Sequence, residues 1–312
     1  MLFRSCEHVR VGSTRVDVFD WEEESEARGG SEEDLSWVDE TDIDVTGGYL
    51  WELSAEYDEV SKFKIDVKGD GESDDDIPVM FKVPEFAATS TRMMDWSKDF
   101  WKDVYASWVS PRNTTSDGSK SWKDLCDIDS MVSYWLVNEI FGNHDAWYKS
   151  RYCYKAVGGK LTFGPAWDFD WGLGSVAVGM GDAAKWILAR DQSNGWAMSF
   201  YKEWLDDPWF CLRAWEKYRE MRPKFAELFE GEGCRYDEYA DYLSGARIAE
   251  NARWGAARAA SYGGNARTPD EDTAMFKTWM TTRLAWLDTV FETPESLMSA
   301  IANHESSHQY YP

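Results

Sequence analysis

Between Asn138 and Gly174 the chain reads NEIFGNHDAWYKSRYCYKAVGGKLTFGPAWDFDWGLG, and this order of parts constrains the fold more than any other stretch. Upstream of it, Asp127 to Phe141 carries Met131, Val132, Trp135, Leu136 and Ile140 at helical spacing. Asp127 or Asp129 is placed to cap the start of that helix and Gly142 to stop it. Asp145 therefore falls in the loop just past a buried helix. Arg151 to Ala156 alternates Tyr152 and Tyr154 with other residues, and Gly158-Gly159 separates it from Lys160 to Phe163, which is a short hairpin signal. Asp168 emerges at the hairpin's exit, two residues before Asp170 and shortly before Gly172.

Helix, loop Asp, hairpin, then a second Asp before a Gly is the order of the catalytic core of protein kinases. There the first Asp takes the proton of the substrate hydroxyl and the second holds magnesium. The kinase loop places an Asn five residues past its catalytic Asp to bind a second metal; here that position is Ser150, whose hydroxyl is a weaker ligand. Spacing alone also admits a structural reading. Asp145 would cap a turn, and Asp168 and Asp170, set between Trp167 and Trp171, would bond backbone in a tight bend.

The motifs GNHDAW, KSRYCYK and GPAWDFDWGLG resemble the CotH kinases, atypical protein kinases named after a bacterial spore-coat protein. The resemblance extends through CEHVRVGSTRVDVFDW, GGYLWEL, FKVPE, DPWFCLRAWEKYREMR and ENARW, and so covers nearly the whole chain. It implies a magnesium-dependent transfer of the γ-phosphate of ATP to Ser or Thr hydroxyls of secreted or surface proteins. On that basis Asp145 is the expected catalytic base, Asp168, Asp170 and Ser150 the metal ligands, and Asn143 and Lys149 the cofactor-binding residues. Many members have Asn where this chain has Ser150, and the family domain opens with a β-rich lobe carrying an RGN-type motif and lysines. This chain begins after that lobe, so the expected phosphate-gripping lysine is not identified in it. The opening Leu2-Phe3-Arg4-Ser5 matches what a common sequencing adapter encodes, and the expectation is a gene truncated at the edge of an assembly. A longer reading frame upstream supports that; a genuine start signal before Met1 removes it.

The remainder of the chain sets bounds. At 312 residues with 43% hydrophobic and 16% aromatic content, it has ample material for a core. Its 57 acids against 33 bases give a net charge of -24, which argues against nucleic acid and anionic membranes as partners. No apolar run approaches the roughly 20 residues that span a bilayer, and no signal peptide is visible, although the resemblance implies an extracellular or cell-surface setting. Five scattered cysteines without C-x-x-C pairs read as buried thiols.

Along the chain, alternating valines from Glu7 to Asp20 suggest two short strands. Glu22 to Asp44 reads as an acidic solvated loop. Tyr49 to Leu53 and Val79 to Val83 read as strands flanking an acidic insert at Asp70 to Asp76. Met94 to Ser110 reads as a helix whose aromatics face inward. The 19 Trp therefore point to core packing rather than to a sugar platform. Glycines between Ala177 and Asn194 suggest a mobile segment where kinases keep a substrate loop. Helices are expected over Ser199 to Leu228 with a break near Pro208, over Tyr236 to Ser261, and over Asp270 to Phe291. His304 and His308 are four apart, but a metal clasp there lacks a third ligand.

The expected fold class is α+β, atypical protein-kinase-like. A partial β-rich N-terminal part with acidic inserts (1–90) precedes a mainly helical C-lobe with the catalytic hairpin (91–292) and a tail (293–312). Two other function classes stand beside the kinase: an inactive surface adhesion or binding module, and a glycoside hydrolase using paired carboxylates. The residues name neither the protein substrate nor an oligomeric state.

Overall fold

The structure, a computed structural model, describes residues 9, 11–66, 76–108, 114–115, 117–174, 181–188, 200–261 and 267–303. It has the expected α+β class: one small antiparallel sheet set into a larger helical body.

The sheet runs in the order β2-β3-β1-β4-β5, with β1 Tyr49–Leu53, β2 Lys62–Ile65, β3 Ile77–Val83, β4 Arg151–Lys155 and β5 Thr162–Phe163. β1 is central and wholly buried, pairing Trp51 with Cys153 and Glu52 with Tyr152 on β4. The hairpin read from Gly158-Gly159 is therefore present as β4–β5, and it is sewn into the same sheet as the strands near residue 50. One face carries Tyr49, Trp51, Phe63 and Phe81 into the main core. There Trp51 meets Trp101 of α2 (Thr91–Trp108) edge-on at 5.6 Å between ring centroids. The other face holds a smaller cluster of Val16, Val18, Leu50 and Tyr152, with Trp167 packed on it.

Upstream, two expectations need correction. Among the described residues of the stretch from Glu7 to Asp20, the valines make only an isolated Val11–Val16 bridge rather than two strands. The acidic stretch is not a plain loop: α1 (Trp21–Ala27) starts at Asp20, whose carboxylate accepts from the amides of Glu22 and Glu23. A 3-10 turn follows at Ser36–Glu40. A few apolar residues among the acids, Trp21, Leu35 and Val38, are fully buried and hold this segment on the core. The acidic insert lies outside the described residues except for Asp76.

After α3 (Trp122–Leu125) comes α4 (Ile128–Ile140), capped by Asp127, which accepts from the Ser130 amide. Nearly all of its surface is buried, as in a helix that serves as core. α5 (Tyr201–Leu205) and α6 (Pro208–Phe229) are separated where Asp206-Asp207-Pro208 stand. The next expected helix is broken into α7 (Arg235–Tyr242) and α8 (Ser244–Ser261). α9 (Pro269–Val290) opens with a Thr268–Glu271 capping box, and α10 (Pro294–Ala302) follows; His304 and His308 lie outside the described residues. Trp21, Trp51, Trp101, Trp108, Trp122, Trp135 and Trp204 are all completely buried, so tryptophan serves packing here. Cys126, Cys153, Cys211 and Cys234 are free and buried, while Cys6 is outside the described residues. No helix among the described residues is long and apolar enough to cross a membrane.

Candidate active site

The polypeptide leaves α4 through a turn in which Gly142 adopts φ 61°. A 3-10 turn at Asp145–Trp147 then delivers Asp145, whose carbonyl accepts from the amides of Tyr148 and Lys149 at 3.0 and 2.8 Å. That turn leads directly into β4, so Asp145 is fixed between the core helix and the sheet. Downstream of β5 the segment Asp168 to Leu173 folds back. Leu173 donates to the Phe141 carbonyl at 2.7 Å, and Gly172 sits so close that a Cβ there would lie 3.0 Å from the same oxygen. The end of α4 and the Asp-x-Asp turn are thus stitched together by backbone.

The result is that Asp145, Asp168 and Asp170 each offer one carboxylate oxygen to a common point, the three lying within 4.8 Å of one another. Asp145 is completely buried, and neither of its carboxylate oxygens takes a hydrogen bond. Its nearest cation is Lys149, with Nζ 3.5 Å from Oδ2. Burial, with the charges of Asp168 and Asp170, pushes the Asp145 carboxyl up to about 6 against the opposing pull of Lys149. Burial works against the charge of Lys149, but Asp145 and Glu56 outweigh it and hold its pKa above the ordinary value. Lys149 also lies 3.8 Å from Glu56 and 5.6 Å from the Trp171 ring centroid.

Ser150 and Asp168 both stand in the left-handed region, at φ 55° and 61°, and the Ser150 hydroxyl donates to Asp168 Oδ2 at 3.2 Å. Non-glycine residues accept that conformation only where surroundings over-determine it, commonly at functional sites. Asn143 is buried behind the cluster. Its amide nitrogen donates to Asn138 Oδ1 at 2.9 Å and to the Trp167 carbonyl at 3.3 Å, while its Oδ1 has no partner. All six residues expected from the sequence thus fall in this one neighbourhood, four of them in the acidic cluster and its hydroxyl and two beside or behind it.

A buried carboxylate is costly unless positive charge stands beside it, and one lysine at 3.5 Å leaves the three converging carboxylates with more negative than positive charge. Three convergent carboxylates, one of them lacking any hydrogen bond, are a hard-oxygen donor set that suits magnesium or a similar divalent cation.

Residues outside the six candidates also shape the site. Trp279 of α9 lies under both ends of it: a Cβ on Gly142 would come within 2.8 Å of the ring and one on Gly174 within 2.5 Å. Glu139 and Arg283 form a completely buried ion pair at 2.6 Å. The available signals were Asn138-Glu139 inside an otherwise apolar helix, and Arg283 interrupting the stripe of Met280, Leu284 and Leu287.

No curated protein and no solved structure matches the chain. A protein-family model described as CotH kinase protein matches residues 97–287, more than half of the chain and the whole of this site. The chain belongs to the CotH kinase family.

Proposed function

We propose that this chain carries the catalytic site of a protein kinase that moves the γ-phosphate of ATP to Ser or Thr hydroxyls of protein substrates. The observation that carries the reading is the convergence of Asp145, Asp168 and Asp170, with the Asp145 carboxylate buried and taking no hydrogen bond. Kinase membership suggests ATP and a divalent metal in general. The assignment to magnesium, to hydroxyl acceptors and to an extracellular or surface setting is the finer part of the proposal and rests on family resemblance.

Asp168 and Asp170 would hold the cation, with Ser150 fixing the rotamer of Asp168 through its 3.2 Å hydrogen bond. When bound, magnesium neutralises charge on the ATP phosphates and orients them. Asp145 orients the acceptor hydroxyl and takes its proton as the oxygen bonds to the γ-phosphorus and ADP departs. Lys149, which lies between Asp145 and Glu56, would meet a phosphate oxygen, and Asn143, which donates to the Trp167 carbonyl, would brace the Asp168 turn from behind. Most of the rate in phosphoryl transfer comes from positioning and charge neutralisation. Rigid stitching of the Asp-x-Asp turn to α4 therefore bears directly on rate.

A thermal-shift titration with ATP, with and without magnesium, tests this, because a ligand that binds only the folded state raises its melting temperature. The expected result is a magnesium-dependent rise that disappears in Asp168→Asn. A rise that ignores both magnesium and the substitution overturns the assignment. Glycoside hydrolysis by a carboxylate pair needs no metal, so metal dependence separates the two chemistries.

A further inference from the structure

Seven residues past the Gly174 turn the chain re-emerges as an irregular segment, 181–188, that has no helix or strand of its own yet buries Trp186, Ile187 and Leu188. Something other than secondary structure must hold it. Glu139 Oε1 accepts from the Ile187 amide at 2.8 Å and Glu139 Oε2 from the Leu188 amide at 2.7 Å. From the other side Arg283 Nη1 donates to the carbonyls of Ala183 at 3.0 Å and Lys185 at 2.5 Å. The two side chains meet at 2.6 Å, both with no exposed surface. Arg283 also donates at 2.7 Å to the carbonyl of Glu139, and that same carbonyl accepts the amide of Gly142, the residue that turns the chain toward Asp145.

This geometry does more than fill space. A buried ion pair offers little net stability over an apolar pair of similar volume, because both charges must leave water. What this pair provides is a junction: one carboxylate and one guanidinium join the end of α4, the 181–188 segment and α9. Backbone donors and acceptors are read on both sides, so neither an apolar pair nor a lysine reproduces it.

We infer that Glu139 and Arg283 are positioning residues that lock the 181–188 segment to the helix end leading into Asp145, and thereby hold the turn that presents Asp145 to an acceptor hydroxyl. The acceptor part rests on the phosphotransfer reading; the locking part does not. Neither residue belongs to the cluster of Asp145, Asp168 and Asp170.

Limited proteolysis gives the direct test, since trypsin cuts after Lys185 and the carbonyl of that bond is held by Arg283. In Arg283→Met, cleavage after Lys185 is expected to accelerate at least tenfold, with cleavage after Lys217 and Lys277 rising less than twofold. Manganese affinity, read by calorimetry, is expected to stay within twofold of the unsubstituted chain. Arg283→Lys, which keeps the charge but cannot reach all four oxygens, should give an intermediate Lys185 cleavage rate and guards against a variant that fails to fold. Uniform acceleration at all three lysines, or no acceleration at Lys185, overturns the locking. With dephosphorylated casein as the acceptor probe, Arg283→Lys should lower kcat at least fivefold with KM within threefold; an unchanged kcat overturns the positioning role toward Asp145. Absence of any transfer by the unsubstituted chain counts against phosphotransfer and against the positioning role toward Asp145 with it, while the Lys185 cleavage decides the locking independently.

Discussion

Substituting Gly174 by Ala probes the seam between the Asp-x-Asp turn and the helical body. Gly174 sits at φ 77°, where an L residue pays about 1–2 kcal/mol. Its new Cβ would lie 2.5, 2.7 and 2.9 Å from Cδ1, Cγ and Nε1 of Trp279, inside any tolerable contact. The ring has little room to retreat, because its far edge lies against the Gly142 turn and the residue is 8% exposed. Overpacking of this kind costs roughly 1–3 kcal/mol, so Gly174→Ala should lose about 2–5 kcal/mol in all. For a chain of this size that is a fall in melting temperature of about 3–8 °C. Chemical denaturation followed by tryptophan fluorescence measures it. Trp279→Leu removes the offending ring edge at its own cavity cost, and in that background Gly174→Ala should retain only the backbone strain. A double-mutant cycle is therefore expected to give a coupling of about 1–3 kcal/mol. A Gly174→Ala loss below about 0.5 kcal/mol, or strict additivity with Trp279→Leu, refutes the reasoning.

Three further outcomes follow from the site and the fold. Asp168→Ala should abolish phosphotransfer while leaving the unfolding midpoint near its original value, checked by transfer assay and denaturation in parallel; near-normal transfer removes Asp168 as a metal ligand. Ser150→Ala takes the one described donor from Asp168 Oδ2 and should weaken manganese binding several-fold by calorimetry. Ser150→Asn, a side chain tolerant of φ 55° and itself a good oxygen ligand, should keep most of the affinity. On α5, burial pushes the Glu203 carboxyl up to about 7 from an unfolded value near 4.5. The folded chain thus holds a proton that the unfolded chain releases. The group's stability contribution is full below about pH 4.5 and is lost as pH rises to about 7. Glu203→Gln should accordingly raise the melting temperature at pH 8 more than at pH 5, and an equal shift at both contradicts the assignment.

Much of the local fold around the candidate site was legible because its signals are local. A cap at Asp127, a stop at Gly142, a Gly158-Gly159 turn and an Asp-x-Asp pair each act within a few residues, and the chain between Asn138 and Gly174 folds accordingly. What was missed is long-range. Glu139 and Arg283 are 144 positions apart, and each looks like a surface charge until the fold brings them together with no exposure. Trp279 was legible as a core residue, but its role as a stop against Gly142 and Gly174 depends on α9 crossing beneath both. The acidic stretch near residue 30 misled for a related reason: composition there is set by its solvated face, while Trp21, Leu35 and Val38 alone decide that it packs. The strand β2, Lys62–Ile65, is too short and too mixed to signal itself without β3 beside it. The region from Ala177 to Asn194 falls outside the described residues except for 181–188, and that part is anchored rather than loose, because its backbone is bonded to Glu139 and Arg283.

The most direct measurement is γ-phosphate transfer itself. The chain is incubated with ATP and a Ser/Thr-containing acceptor protein, with magnesium or with a chelator, beside Asp145→Asn and Asp168→Asn, and added phosphate is located by mass spectrometry. The expected result is phosphate on acceptor hydroxyls that requires magnesium and is lost by orders of magnitude in both variants. Transfer that persists in the chelator, or in either variant at near the original rate, contradicts a site built on Asp145, Asp168 and Asp170.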